Sequence, residues 1–307
     1  IMDEIKIHKP FLKWVGGKTQ IIDKIIAKIP NEMENYHESF LGGGSVLLAV
    51  LSLQKSGKIT IKGNIYAYDL NSQLIQVYRH IQTKKDALFK SIEKYKNNYS
   101  KCPDAEKGTA NRDPQNITEA KTSKESYYYW LRKIFNNNMG NKSVENSALF
   151  IVINKLCFRG VYREGPNGFN VPFGHYKKMP EIITKEKLDA ISCLIKDVIF
   201  IIADFKDSIK NTTKGDFIYL DPPYAPETSK SFVGYTRDGF NIDTHKKLFK
   251  LIRDLPNKQV KFVMSNAKVD LIIENFKEYN MEETKARRAI NSKNPGASTT
   301  EVIIYNL

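Results

Sequence analysis

Short apolar runs alternate with helical stretches towards both ends of this chain, and that alternation restricts its fold more than any other feature. Residues 36–41, 65–69, 198–203, 217–220 and 260–264 are rich in β-branched and aromatic side chains and read as buried strands. Residues 45–53 and 245–255 carry helical patterns between them. Strands separated by helices line up parallel, with helices covering the faces of the sheet. The expected fold class is therefore α/β with a mostly parallel sheet. Residues 301–307 read as a further strand, paired as a hairpin with the stretch at 279–285.

The middle of the chain breaks this rhythm. From residue 83 to 196 the pattern is polar, helical and lysine-rich, with a loop rich in Asn, Asp, Pro and Gly at 102–121. The expected organisation is one domain formed by residues 1–82 and 197–307, carrying an inserted helical and β-hairpin subdomain at 83–196. Within the insert, residues 157–178 (CFRGVYREGPNGFNVPFGHYKK) interleave Gly, basic and aromatic residues, a pattern suited to an exposed β-hairpin. Lys and Arg total 48 against 34 Asp and Glu, a net charge of +14, which favours a polyanionic partner; lysine enrichment for solubility is the alternative. The three cysteines, Cys102, Cys157 and Cys193, lie far apart without metal-ligand spacing, so a reducing compartment and no metal site are expected. No apolar stretch approaches the roughly 20 residues of a membrane span, and a soluble, intracellular protein of the cytoplasm or nucleoid is expected.

The chemistry begins where residues 217–220 end. Asp221-Pro222-Pro223-Tyr224 puts a carboxylate, backbone carbonyls and an aromatic ring directly after a strand. The two prolines fix φ and offer no N–H, so the chain leaves the sheet stiffly. A flat molecule bearing an NH2 group fits these groups: one hydrogen to the Asp221 carboxylate, the other to the Pro222 carbonyl, and the ring face under Tyr224. A strand ending in an ordinary proline turn is the alternative.

Two further segments bear on ligand binding. Glu38-Ser39-Phe40-Leu41-Gly42-Gly43-Gly44-Ser45 joins a strand to a helix, and its glycines let a ligand approach backbone N–H groups at the helix start. It lacks the GxGxxG spacing and the Walker lysine, which argues against a phosphate-binding dinucleotide site. Asp69 ends the next strand, where an acidic residue either accepts from ribose hydroxyls or caps the helix that begins near residue 71. Phe11-Leu12-Lys13-Trp14-Val15-Gly16-Gly17-Lys18 reads as a pocket rim, or as a loop docked by Phe11 and Trp14.

FLKWVGGK, ESFLGGGS, NVPFG and DPPYAP, in this order, resemble the Dam-type (α-group, D12 class) DNA adenine-N6 methyltransferases, from about Pro10 to the end of the chain. The resemblance implies a Rossmann-like S-adenosyl-L-methionine-dependent methyltransferase fold, with target recognition in the insert. It implies S-adenosyl-L-methionine as cofactor, S-adenosyl-L-homocysteine as product, and no metal. Trp14, Lys18, Phe40, Gly42 and Gly44 match positions around the methionine part of the cofactor, Asp69 the ribose, and Asp204 and Phe205 the adenine. Asp221, Pro222, Pro223 and Tyr224 match the catalytic clamp on a flipped adenine, with Asp221 also facing the cofactor.

The same resemblance distributes the DNA contacts. Arg163 matches an arginine that contacts guanine, Val161 and Pro172 match apolar contacts to thymine, and Lys13 and Tyr176 match contacts to the first base pair. Phe158 matches an intercalating aromatic at the hairpin tip, and Arg132 and Lys177 are candidate phosphate contacts, with a helix-surface charge as the alternative for Arg132 and with Asn170 in the same hairpin. The chain departs from the family pattern at Arg159, where many members have Asn, at His175, where Arg is common, and in a hairpin one residue shorter between Arg163 and Phe169. These departures bear on phosphate contacts and flanking preference.

The implied reaction is site-specific methylation of adenine N6 in double-stranded DNA, in GATC, with GATATC or another GAT-containing site as the alternative; a monomer in solution is expected, with assembly on DNA as the alternative. A related enzyme acting on RNA or a protein amide would share the Asp-Pro-Pro-Tyr segment without needing the basic hairpin. A DNA-binding protein that had lost the cofactor would not need Asp69 and the glycine turn together.

Overall fold

The computed structural model describes residues 6–225, 240–287 and 298–307. The chain divides into two compact units, one of Ile1–Lys9, Lys18–Leu70 and Asp197–Leu307, the other of Pro10–Gly17 and Asn71–Lys196.

The first unit is built on a seven-stranded sheet in the order Asn280–Arg287, Ser298–Tyr305, Lys261–Ala267, Phe217–Leu220, Tyr36–Glu38, Ile65–Asp69, Val198–Ile202. Ser298–Tyr305 runs antiparallel to both of its neighbours, and the other pairings are parallel. The α/β class and the C-terminal hairpin are thus those of the sequence reading, with Ala286 opposite Thr299 in register. Phe217–Leu220 is buried at every position, as a central strand covered on both faces must be. Helix Ile242–Asp254 lays Leu248, Phe249 and Ile252 against Ile218, Leu220, Phe262, Met264, Val302 and Ile304, all wholly buried. Helix Ser45–Lys55 is apolar almost throughout, with eight consecutive buried residues from Val46 to Leu53.

Strand order fixes where a ligand site can form. From Tyr36–Glu38 the chain moves outwards to Ile65–Asp69 and Val198–Ile202, then crosses to Phe217–Leu220 on the other side of its starting strand. The loops after Tyr36–Glu38 and Phe217–Leu220 therefore leave adjacent strands in diverging directions and open a crevice at their carboxyl ends. The glycine turn and Asp-Pro-Pro-Tyr are those two loops.

The second unit is helical. Ser72–Thr83, Lys85–Lys101 and Lys124–Asn137 pack on the nearly fully buried Val144–Leu156, and Lys185–Leu194 packs on the first two of them. Asn71, Ser123, Ser143 and Thr184 cap four of these helices through side-chain oxygens. Helix Ser72–Thr83 groups with this unit and not with the first, because its buried face packs on Val144–Leu156, Tyr78 meets Phe11 edge-on at 5.5 Å, and His80 bonds Ser147 at 2.7 Å.

The expected hairpin at 157–178 is smaller than its sequence suggests. Only Glu164–Gly165 and Gly168–Phe169 pair as strands, extended by an isolated bridge between Cys157 and Phe173. Phe158 is not at its tip: it lies in the 3₁₀ turn Phe158–Gly160 at the open end of the hairpin, where its N–H donates to the Pro172 carbonyl at 2.8 Å. Gly160 and Arg159, both at positive φ, turn the chain there and leave too little extended backbone for a long ladder. Among the described residues no helix is long and apolar enough to cross a membrane.

Candidate functional site

In the first unit, Asp221 is held from two sides. Lys18, only 2% exposed, places Nζ 2.7 Å from Asp221 Oδ2, and the Ser265 hydroxyl donates to Oδ1 at 3.1 Å. Ser265 is in turn bonded to the Tyr219 hydroxyl at 2.7 Å. This arrangement follows from register. Leu220 pairs with Met264, so the residues that follow on the two strands, Asp221 and Ser265, meet side by side. Burial pushes the Asp221 carboxyl above the usual aspartate range, and the Lys18 charge and the Ser265 hydroxyl work against that rise. Each carboxylate oxygen has a second lone pair, so an incoming N–H can still be accepted.

The rest of the segment is anchored by backbone contacts. Asn266 Oδ1 accepts the Ala225 N–H at 3.0 Å, and His245 Nε2 lies 3.1 Å from the Pro223 carbonyl. Pro222 is buried, Pro223 exposed, and the Tyr224 ring is half-buried with Lys18 Nζ 5.1 Å from its centroid. Pro226, the last residue of the DPPYAP motif, lies outside the described residues.

Glu38 lies on the neighbouring strand, 2% exposed, accepting from the Tyr36 hydroxyl at 2.7 Å. Burial pushes its carboxyl up to about 8, against the Tyr36 bond and with the nearby Asp221 charge adding to the rise. After it the glycine turn has Gly42 at φ 49° and Gly44 at φ 70°, left-handed conformations that a side chain would strain. Gly42 N–H donates to Asp69 Oδ2 at 2.9 Å, which ties the turn to the end of Ile65–Asp69. The N-cap of the following helix is Asn71, whose side chain accepts from Leu74 N. Phe40 and Phe205 stack at 6.1 Å, and Phe240 meets both, at 6.1 and 5.8 Å. Asp204 caps the helix Phe205–Lys210 through its side chain, accepting from Lys206 N at 2.8 Å.

The second unit gathers the other sequence candidates. The Lys13 backbone is gripped by buried Asn154, whose Oδ1 accepts from Lys13 N at 3.0 Å and whose Nδ2 donates to Lys13 O at 2.8 Å. Lys13 Nζ reaches the Tyr176 hydroxyl at 3.2 Å and sits 4.5 Å from that ring's centroid, while the hydroxyl donates to the Cys157 carbonyl at 2.7 Å. Thus Lys13 and Tyr176, far apart in sequence, form one pair. Arg163 Nε donates to Asn170 Oδ1 at 2.7 Å across the short hairpin, and both residues are exposed. Phe158, Pro172 and Lys177 are also exposed, and Val161 is half-buried.

Three candidates have structural partners as well. Arg132 donates to the Val171 carbonyl at 3.1 Å and stacks over Tyr129, so part of its donor set holds the hairpin in place. His175 lies 3.6 Å from Glu125 at φ 24°, and the Arg159 guanidinium covers Phe158 at 5.1 Å. Trp14 belongs to this unit, stacked on Tyr162 at 5.4 Å and Phe150 at 6.3 Å.

Sequence reasoning passed over Ser265, Asn266, His245, Asn154 and the role of Glu38. Ser265 and Asn266 did carry a signal, two polar residues closing an apolar strand. His245 and Asn154 carried none, because each lies at helical spacing among apolar residues and reads as core.

A family model for D12 class N6 adenine-specific DNA methyltransferase matches residues 14–290. The type II methyltransferase M.MjaIII of Methanocaldococcus jannaschii is 33% identical over 294 residues, covering 93% of each chain. The type II methyltransferase M1.LlaDCHI of Lactococcus lactis subsp. cremoris is 30% identical, covering 100% of this chain and 98% of its own. A DNA adenine methylase of Haemophilus influenzae is 28% identical, with 94% and 89% covered.

Proposed function

Because the chain belongs to the D12 class of N6 adenine-specific DNA methyltransferases, we propose that its Asp-Pro-Pro-Tyr segment clamps an adenine turned out of duplex DNA, and that GATC is its site. The carrying observation is the Asp221 carboxylate, fixed by Lys18 and Ser265 at the mouth of the sheet crevice beside two prolines. Adenine N6 donates one hydrogen to Asp221 and the other to the Pro222 carbonyl, while Tyr224 stacks on the base. That orientation draws the nitrogen lone pair out of conjugation and aims it for in-line transfer.

S-adenosyl-L-methionine, the donor that membership of this family implies, supplies an electrophilic methyl group on a positively charged sulfur. The fit rests on the glycine turn at positive φ, the Asp69 carboxylate at a strand end, and the Phe40 and Phe205 rings, with Lys18 nearby at Asp221. As the N6–carbon bond forms and the carbon–sulfur bond breaks, positive charge grows on N6 and faces the Asp221 carboxylate. The surplus N6 proton passes to that carboxylate, whose affinity for a proton burial raises against the opposing Lys18 charge. A stacked base in a duplex is out of reach of this clamp, so it must leave the stack at about a few kcal/mol.

Reading of the site falls to the second unit. Arg163, steadied by Asn170, takes guanine O6 and N7; Val161 and Pro172 pack on thymine; Lys13 and Tyr176 act together on the first base pair. Lys177 and the remaining Arg132 donors take phosphates, and Phe158 fills the space that the base leaves. Transfer of labelled methyl to matched duplexes containing GATC, GATATC or a scrambled site tests this. Preference for the GATC duplex supports it, and preference for GATATC or equal labelling of the scrambled duplex rules it out.

A further inference from the structure

A segment containing two consecutive prolines cannot hold itself in place by its own backbone bonds. Pro222 and Pro223 have no N–H to donate, so the orientation of Asp-Pro-Pro-Tyr depends on what grips its side chains and carbonyls. Lys18 and Ser265 grip the Asp221 side chain, and Asn266 holds the Ala225 N–H beyond the segment. The grip on the proline backbone itself comes from His245, 22 residues further along the chain.

His245 is built for a fixed position. It is 1% exposed, in the first turn of helix Ile242–Asp254, whose Leu248, Phe249 and Ile252 are wholly buried in the sheet's core. Its ring is wedged edge-on between Phe240 at 4.7 Å and Phe249 at 5.8 Å. Both neighbours, the Pro223 carbonyl at Nε2 and the Asn241 carbonyl at Nδ1, can only accept, and the Nε2–H tautomer is the one that bonds Pro223. Nδ1 lies 3.0 Å from the Asn241 carbonyl, which already accepts the His245 backbone N–H within the same helix. The Nε2 bond is therefore the one that reaches beyond the helix.

We propose that His245 is a positioning residue for methyl transfer: through Nε2–H and the Pro223 carbonyl it sets the angle at which the Asp221 carboxylate and the Pro222 carbonyl meet the adenine amino group. The proposal rests on the role assigned above to residues 221–224. A misplacement of about 1 Å in such a clamp is enough to cost up to about 100-fold in rate, without weakening DNA binding at the other unit. The structure also separates this role from simple core packing, because the two ring nitrogens point at different partners.

Two substitutions use that separation. Glutamine places its amide nitrogen near the former Nε2, and asparagine places its amide nitrogen near the former Nδ1. With wild type, His245→Gln, His245→Asn and Asp221→Asn side by side, kcat, KM for duplex DNA and melting temperature are measured. His245→Asn is expected to lose about 10- to 100-fold in kcat with KM little changed, and His245→Gln to recover most of it, at similar melting temperatures. Equal losses in both variants, no loss in either, or a kcat loss that tracks melting temperature would overturn the proposal. An inactive Asp221→Asn beside an undiminished His245→Asn removes the positioning role alone. Undiminished transfer by Asp221→Asn removes the role of residues 221–224 and this proposal with it.

Discussion

The clamp around Asp221 and the hairpin around Arg163 are assembled on opposite principles. Asp221 stands at the end of a fully buried strand, and each oxygen of its carboxylate already has a buried partner, Lys18 on one side and, through sheet register, Ser265 on the other. Arg163 stands on a hairpin of two residue pairs, exposed, with its guanidinium steadied by a single side chain, Asn170. A group that must be aimed to a fraction of an ångström is built into the interior. The groups proposed to read DNA stand on a light frame, where a change of one side chain should alter what is read without unfolding the unit. Substitutions should accordingly divide into those that stop transfer and those that redirect it.

The largest effect is expected at the clamp. Asp221→Asn keeps the shape, removes the charge facing N6, and should lower kcat by about 100- to 1000-fold while DNA affinity in a binding titration stays near wild type. It should also lower the melting temperature, because Lys18 is left buried without its carboxylate partner. Loss of DNA binding in step with activity would erase the distinction between the two regions. Next, Arg163→Ala should relax discrimination at one guanine by about 1–3 kcal/mol in competition between single-base variants of the site, with the rate on the best site largely kept.

A smaller effect is expected from Gly160→Ala. Gly160 is at φ 65°, and a Cβ there would lie 2.2 Å from Lys13 Cβ, so Lys13 must move away from Tyr176. Target affinity should fall about tenfold, with kcat at saturating DNA preserved. The smallest is Glu38→Gln. The folded Glu38 carboxyl holds its proton up to about 8, whereas the unfolded one releases it in the ordinary glutamate range. The native state thus binds the extra proton between those values, and wild-type stability should fall as pH rises through that window and level off above it. Glutamine mimics the protonated form, so the melting temperature of Glu38→Gln should decline less from pH 6 to pH 9. Identical profiles would mean that Glu38 ionises as freely folded as unfolded.

The same contrast explains what could be foreseen from the sequence. The strands at 65–69 and 217–220 were legible to the residue, since β-branched and aromatic runs bounded by polar turns have few other solutions. The mostly parallel sheet followed from alternation, and the resemblance implied Asp221, Lys18, Phe40 and Phe205. The partners that orient them were not legible. Ser265 meets Asp221 through strand register, and His245 meets Pro223 across 22 residues; neither pairing leaves a periodic trace. In the insert, the run of Gly and aromatics suggested a longer hairpin, and the resemblance put Phe158 at its tip. Positive φ at Arg159 and Gly160 bends the chain first, and composition alone carries no sign of that.

Transfer and reading meet in a single observable, the sequence context of methylated adenines in a genome. DNA from cells that lack adenine methylation of their own, expressing this chain, should carry N6-methyladenine at GATC throughout. The same experiment with Arg163→Ala should add sites differing from GATC at the guanine, and with Asp221→Asn it should show almost none. Methylation centred on an unrelated sequence, or sites unchanged by Arg163→Ala, would contradict the division of labour between the two units.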